Sequence, residues 1–374
     1  MQTERQNAGT DPARLHALDA VRAGALLLGV ILHASMSFFP GPRVWLVDDS
    51  ESSVLLSASF FVIHMLRMLT FFLIAGFVAR VSFERIGAAP FFKDRLRRIG
   101  VPLLAGWPIL FLALMAAAGM LRPAIDSLSL ARFPLMHLWF LYLLGLFYVA
   151  IALAQPLLKR FGGLARLLVH PLAIVPLAAP LCLALYLHPY WVMWFGIPTP
   201  DQSLLPNLPA LAGYGMAFVF GWLAQREPAA LALWRRHWPG YLMVALACTG
   251  YCLWQVGAAP LLMPSPQGQA KLLYAASYSL GAWAWALGLI GMAQRFLGGE
   301  SRLRRYLADA SYWIYLVHLP LVVALQGAVA PLALPWLVKF LLILAVAFAL
   351  MLGTYALLVR RTLVGVILNG RKKA

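Results

Sequence analysis

The chain has 374 residues, 62% hydrophobic and only 11% charged, a composition too apolar to close into a water-soluble globule without burying surface in lipid. Its formal net charge is +17, but the basic residues fall in short polar stretches between apolar runs, where they orient a membrane protein rather than bind nucleic acid. Cys248 and Cys252 lie four apart in an apolar run with no histidine or carboxylate to complete a ligand set, so no metal is expected and both read as core residues.

Apolar runs at 18–40, 54–81, 100–119, 135–157, 168–188, 208–225, 239–257, 272–294, 310–328 and 335–359 predict about ten transmembrane helices. The expected fold class is therefore all-α, a polytopic integral membrane protein, because lipid-facing strands would leave backbone groups unpaired. The first run exceeds a signal-peptide core and carries Asp19, Arg22 and His33, so it reads as a retained helix. One membrane domain, 18–359, is expected between a short tail at 1–17 and a basic tail at 360–374.

Charge gives the orientation. Alternate segments hold Arg5 and Arg14; Arg85, Lys93, Arg95, Arg97 and Arg98; Lys159, Arg160 and Arg166; Arg226, Arg235 and Arg236; Arg295, Arg302, Arg304 and Arg305; and Arg360, Arg361, Arg371, Lys372 and Lys373. The opposite set holds only Arg43, Arg122, Arg132 and Lys271, so both termini are expected in the cytoplasm. That outer set also carries Asp48, Asp49, Glu51, Asp126 and Asp201. Its segment 189–207 contains Tyr190, Trp191, Trp194 and Phe195, which suit an interfacial aromatic belt or a surface for stacking sugars. No internal repeat is evident, which disfavours a transporter built from duplicated halves.

An ionisable side chain inside a span costs roughly 2.5 to 3.5 kcal/mol on insertion scales, so each one needs a reason. Arg22 and His33 are eleven residues apart, close to three turns, and share a helix face that Asp19 extends. Gly29 on that face leaves room for a substrate channel or a close helix contact. His64 and Arg67 share a face of the second span at a similar depth to His33, so the two pairs can meet in one polar cavity. His318, in the run Tyr312–Pro320, is a further intramembrane histidine.

In the loop before the third span, Lys93, Arg95, Arg97 and Arg98 form a basic cluster. Its forks suit phosphate oxygens of a cofactor, and equally lipid headgroups or topology. There is no phosphate loop, zinc helix or nucleophile elbow. Carboxylates are nearly absent from the spans beyond Asp19 and Asp309, which argues against a carboxylate-based ion pump.

At Leu18–Arg22, with ten residues between Arg22 and His33, the chain resembles the first helix of the acyltransferase-3 superfamily of membrane acyltransferases. His64-Met65-Leu66-Arg67-Met68 running into Phe71–Phe77 agrees, as do Arg95–Pro102, His137–Leu141 and Ser311–His318. The likeness is strongest to the branch that adds succinyl groups to osmoregulated periplasmic glucans. Ala75 departs from it, standing where relatives commonly have serine.

The resemblance implies a multi-pass enzyme of a bacterial inner membrane. It would take an acyl group from cytoplasmic acyl-CoA, succinyl-CoA or acetyl-CoA, to a hydroxyl of a periplasmic glucan or other envelope glycan. In that chemistry His33 is the natural general base or, alternatively, an acylated nucleophile. Arg67 or His64 would stabilise the oxyanion, and Arg22 or Asp19 would tune His33. Lys93, Arg95, Arg97 and Arg98 would hold the phosphates of coenzyme A. A transporter or flippase of a polar envelope precursor is the rival reading.

Overall fold

The computed structural model describes residues 12–129, 132–160, 170–263 and 265–370. Arg5, Arg166, Arg371, Lys372 and Lys373 of the basic set, most of the 1–17 tail and the start of the 168–188 run lie outside the described residues. Every regular element among the described residues is helical, and seven helices are long and apolar enough to cross a membrane. The protein is thus a multi-pass helical membrane protein.

In chain order the helices are α1 Pro12–Ser35, α2 Val54–Ile86, α3 Ala88–Arg95, α4 Val101–Ala117, α5 Leu121–Asp126, α6 Trp139–Arg160 and α7 Ile174–Leu187. They continue with α8 Met216–Ala224, α9 Pro228–Val256, α10 Gln269–Phe296, α11 Arg302–Val329, α12 Trp336–Thr354 and α13 Leu363–Asn369. The apolar stretches Pro171–Leu187 and Leu208–Ala224 are shorter than a full span. Start signals are local: Ser53 accepts from the N–H of Leu56 at the head of α2, and Ser301 accepts from that of Arg304 at the head of α11.

α2 forms the middle of the molecule, with 78% of its most apolar window buried, against 22% for Ala88–Ala117 and 28% for Trp336–Val359. The outer helices turn apolar side chains outward, among them Leu104, Ile109, Met243, Trp254 and Leu341. That surface is stable against acyl chains rather than water. Helices associate closely where side chains are small. A Cβ at Gly76 of α2 would collide with the Phe218 carbonyl, and one at Gly221 of α8 with the Leu73 carbonyl, so these helices pack backbone to backbone. Around this seam Phe72 stacks on Tyr214 at 5.0 Å, and Phe71 meets Phe140 edge-on at 4.5 Å.

Candidate active site

Four elements carry polar groups into one chamber. α1 delivers His33 in its last turn, α2 delivers His64 and Arg67, the turn Met136–Leu138 delivers His137, and α11 delivers Tyr315 and His318. All six line a cavity of about 900 Å³. Of the two pairs whose spacing allows them to meet in one cavity, His33, His64 and Arg67 line this chamber and Arg22 does not.

Each group has a structural reason for its position. Gly29 is the seat of Arg67: a Cβ there would collide with Nη1 of the guanidinium. The Nε of Arg67 is buried without a hydrogen-bond partner, and the only carboxylate among the described residues lining the chamber is Asp201, in the loop before Leu208. His64 stacks on Phe60 (5.5 Å, 24°), which stacks in turn on Trp194 (5.4 Å, 2°). Trp191 and Trp194 are thus fully buried packing, while Tyr190 is 85% exposed and Phe195 lines the chamber. The aromatic outer segment divides among these places instead of forming one belt or one platform.

His33 is framed by two residues from distant parts of the chain. Trp45, from the loop after α1, stacks on its ring at 5.4 Å and 20°. Gln326 of α11 donates through Nε2 to the carbonyls of His33 (2.9 Å) and Ala34 (3.2 Å), and its Oε1 accepts from the Trp45 indole at 2.9 Å. The last carbonyls of a helix have no intrahelical donor, and in lipid no water replaces one. The loop carrying Trp45 is tied down by Asp49, whose carboxylate accepts from the buried Lys339 ammonium at 2.8 and 3.0 Å.

The other two histidines are fixed by one turn of α11. His318 Nδ1 lies 2.6 Å from the Tyr315 carbonyl. His137 Nε2 lies 3.0 Å from the Leu316 carbonyl. That second carbonyl is free because Pro320, four residues on within the helix, has no N–H to give it. The Tyr315 hydroxyl closes the arrangement by donating to the His137 carbonyl at 2.7 Å. Met136 holds φ at 50°, a left-handed conformation uncommon outside glycine, and its N–H donates to the Asp201 carbonyl at 3.1 Å. The loop carrying Asp201 thereby pins the turn that carries His137.

Away from these imidazoles the chamber reaches Ser127, Arg132, Thr199, Asp201 and Gln202. This is a polar mouth on the side that holds few basic residues. The Asp201 carboxylate accepts from Thr199 Oγ1 at 3.2 Å and Gln202 Nε2 at 3.1 Å.

Asp19 and Arg22 pair with each other at 3.0 Å and lie elsewhere. Eleven residues of helix put Arg22 roughly 16 Å along the axis from His33. There both residues line a separate cleft of about 130 Å³ with His16, Arg304 and Arg305. A shared helix face brought them into line with His33 without bringing them into its chamber. Ala75 does not line the chamber either.

The basic cluster sits at a π-helical turn, Leu96–Gly100, between α3 and α4. Asp94 accepts from Arg95 Nη2 at 2.8 Å and Arg98 Nε at 2.9 Å, and Arg95 also lies over the rings of Phe91 and Tyr148. Lys93 and Arg97 are exposed. None of the four lines the chamber. The Tyr312 hydroxyl donates to the Arg98 carbonyl, so this turn docks on α11 six residues, roughly 9 Å, before His318.

A chamber walled by imidazoles and a guanidinium, continuous with a polar mouth, gives this multi-pass helical protein the groups of an enzyme site. The chain belongs to the acyltransferase-3 family: the family's model, described as an acyltransferase domain, matches residues 15–356. It is an acyltransferase. Similar proteins include the glucans biosynthesis protein C of Escherichia coli (strain K12), of Shigella boydii serotype 4 (strain Sb227) and of Shigella dysenteriae serotype 1 (strain Sd197). Each is 27% identical over 338 residues, covering 85% of this chain and 84% of the relative. No solved structure matches.

Proposed function

We propose that this acyltransferase carries an acyl group, succinyl first among the candidates, from cytoplasmic acyl-CoA to a hydroxyl of a periplasmic glucan or another envelope glycan. It would do so in a bacterial inner membrane, through about ten spans with both termini in the cytoplasm, and 18–359 would form the single catalytic domain. The observation that carries the reading is the chamber itself. Imidazoles and Arg67 line its walls, the mouth at Arg132, Asp201 and Gln202 lies on the sparsely basic side, and the basic turn docks roughly two helical turns from His318.

A sugar hydroxyl is a weak nucleophile at neutral pH, so His33 takes its proton as general base while the oxygen attacks the thioester carbon. The tetrahedral oxyanion forms beside Arg67, whose charge has no carboxylate partner within the chamber wall, and His64 supports it. The C–S bond then breaks with its electron pair on sulfur. Lys93 and Arg97, with the forks of Arg95 and Arg98 shared between Asp94 and ligand, hold the phosphates of coenzyme A. Asp19 and Arg22 act at that cytoplasmic end, along the approach of the donor, rather than on His33. The likeness to the glucans biosynthesis proteins supports the glycan acceptor.

Sidedness tests the reading. In liposomes holding the purified chain in one orientation, succinyl-CoA on the cytoplasmic face and glucan on the other should yield succinyl ester across the bilayer. Ester formed only when donor and glucan share a face would overturn the transmembrane transfer.

A further inference from the structure

His318 is not needed for the mechanism above, yet its chemistry is more tightly fixed than that of His33. A carbonyl oxygen can only accept, so the His318 nitrogen facing Tyr315, Nδ1, carries the proton, and in the neutral ring the lone pair is on Nε2. That Nε2 is buried and has no hydrogen-bond partner. The same logic puts the proton of His137 on Nε2 against Leu316 and leaves Nδ1 buried, bare and unpartnered. Two carbonyls of one α11 turn thus leave two ring nitrogens bare in one chamber. The His33 ring stands 5.2 Å from the His318 ring, His318 stands 5.2 Å from His137, and the Nδ1 of His33 is itself buried without a partner. Three imidazoles therefore form a file, and the backbone sets the last two as proton acceptors.

We propose that His318 is the proton-relay partner of His33, a role that rests on reading His33 as the general base. The hydroxyl O–H bond breaks and its proton goes to His33, while the freed oxygen pair forms the C–O bond to the thioester carbon. His33 passes a ring proton to Nε2 of His318, whose cation is held by the Tyr315 carbonyl. When the C–S bond breaks, the thiolate takes a proton from His33, which recovers one from His318. The net change moves one proton from oxygen to sulfur and leaves both rings as they began. The relay keeps the transient positive charge off the ring next to the nascent ester and assigns a donor to the bare nitrogen of His318.

Acceptor-dependent release of coenzyme A thiol by the full chain is compared with His33→Ala, His318→Asn and His318→Ala. Asparagine can still donate an N–H toward the Tyr315 carbonyl but has no basic nitrogen. Turnover in His318→Asn is expected to fall about 10²-fold or more, within the range of general acid–base catalysis, with KM for both substrates little changed. His318→Ala should regain turnover with added imidazoles in the order of their basicity. Turnover of His318→Asn within about threefold of the parent would overturn the relay. If the asparagine variant does not fold, the alanine variant decides: graded restoration supports the relay, and restoration independent of basicity, or none, overturns it. Activity retained by His33→Ala but lost in His318→Asn would refute the base assignment of His33 and leave His318 as the base itself.

Discussion

Gln326 holds the end of the helix that carries His33: one carboxamide donates to the His33 carbonyl at 2.9 Å and accepts from the indole stacked on the His33 ring. A single side chain on α11 thus fixes both the main chain and the ring face of the base. Gln326→Leu leaves buried carbonyls and an indole N–H unpaired, and the protein should lose about 1–3 kcal/mol. Turnover should fall more than donor KM changes, because the His33 geometry relaxes while the basic turn is untouched. Thermal unfolding in detergent and thiol release, measured side by side, check both expectations.

The paired glycines of α1 offer a cleaner test of the chamber. Gly29→Ala should displace the Arg67 guanidinium and lower turnover at least tenfold, taking Arg67 to stabilise roughly 1.4 kcal/mol or more of the transition state. Gly24 has open space where its Cβ would be, so Gly24→Ala in the same helix should keep full activity and stabilise the helix by up to about 1 kcal/mol. Equal effects of the two substitutions would contradict the seating of Arg67.

Pro320→Ala restores an N–H aimed at the Leu316 carbonyl, which then competes with His137 for it. Stability should hold or rise, because proline inside a helix is costly, while turnover falls several-fold as the fixed proton position on His137 is lost. Unfolding temperature and turnover should therefore move in opposite directions.

The side chains of Lys339 and Asp49 are 0% and 1% exposed. Removing only one leaves an uncompensated buried charge, so Lys339→Met should cost about 3–5 kcal/mol. The double variant Lys339→Met with Asp49→Leu should be more stable than Lys339→Met alone. A thermal-unfolding cycle of the four proteins measures the difference; a double variant less stable than Lys339→Met would mean the loop is held by something else.

Much of this arrangement is legible in the sequence, for reasons that differ by residue. Intramembrane polar residues are costly, so His33, His64 and Arg67 stood out, and helical spacing put them on facing stripes. Periodicity says which residues share a face but not how far along it a cavity extends, so Arg22 and Asp19 align with His33 yet sit roughly 16 and 21 Å along the helix from it. Gln326 and Lys339 carried the same signal as the histidines, polar groups in apolar runs. Their partners, Trp45 and Asp49, lie in a loop whose path no local rule fixes. The His318 and His137 geometry depends on Pro320 freeing a carbonyl that faces another element. Seven helices meet the length and apolarity of a span. The remaining runs are short, or carry basic and polar residues, as Pro228–Val256 does with Arg235, Arg236 and His237.

The outer mouth should act on the acceptor alone. Arg132→Ala and Asp201→Asn are expected to raise KM for a glucan acceptor several-fold and to leave donor hydrolysis in its absence unchanged, since uniform binding is what such contacts supply. Equal losses with and without acceptor would move these residues from recognition to folding.

The most direct measurement is thiol release by the purified protein given succinyl, acetyl and longer acyl thioesters of coenzyme A with a glucan acceptor, beside His33→Ala. Acceptor-dependent release that disappears in the variant is the expected result, and the donor giving the fastest release identifies the acyl group. Full release by His33→Ala, or none with any donor from protein shown to be folded, would contradict the account.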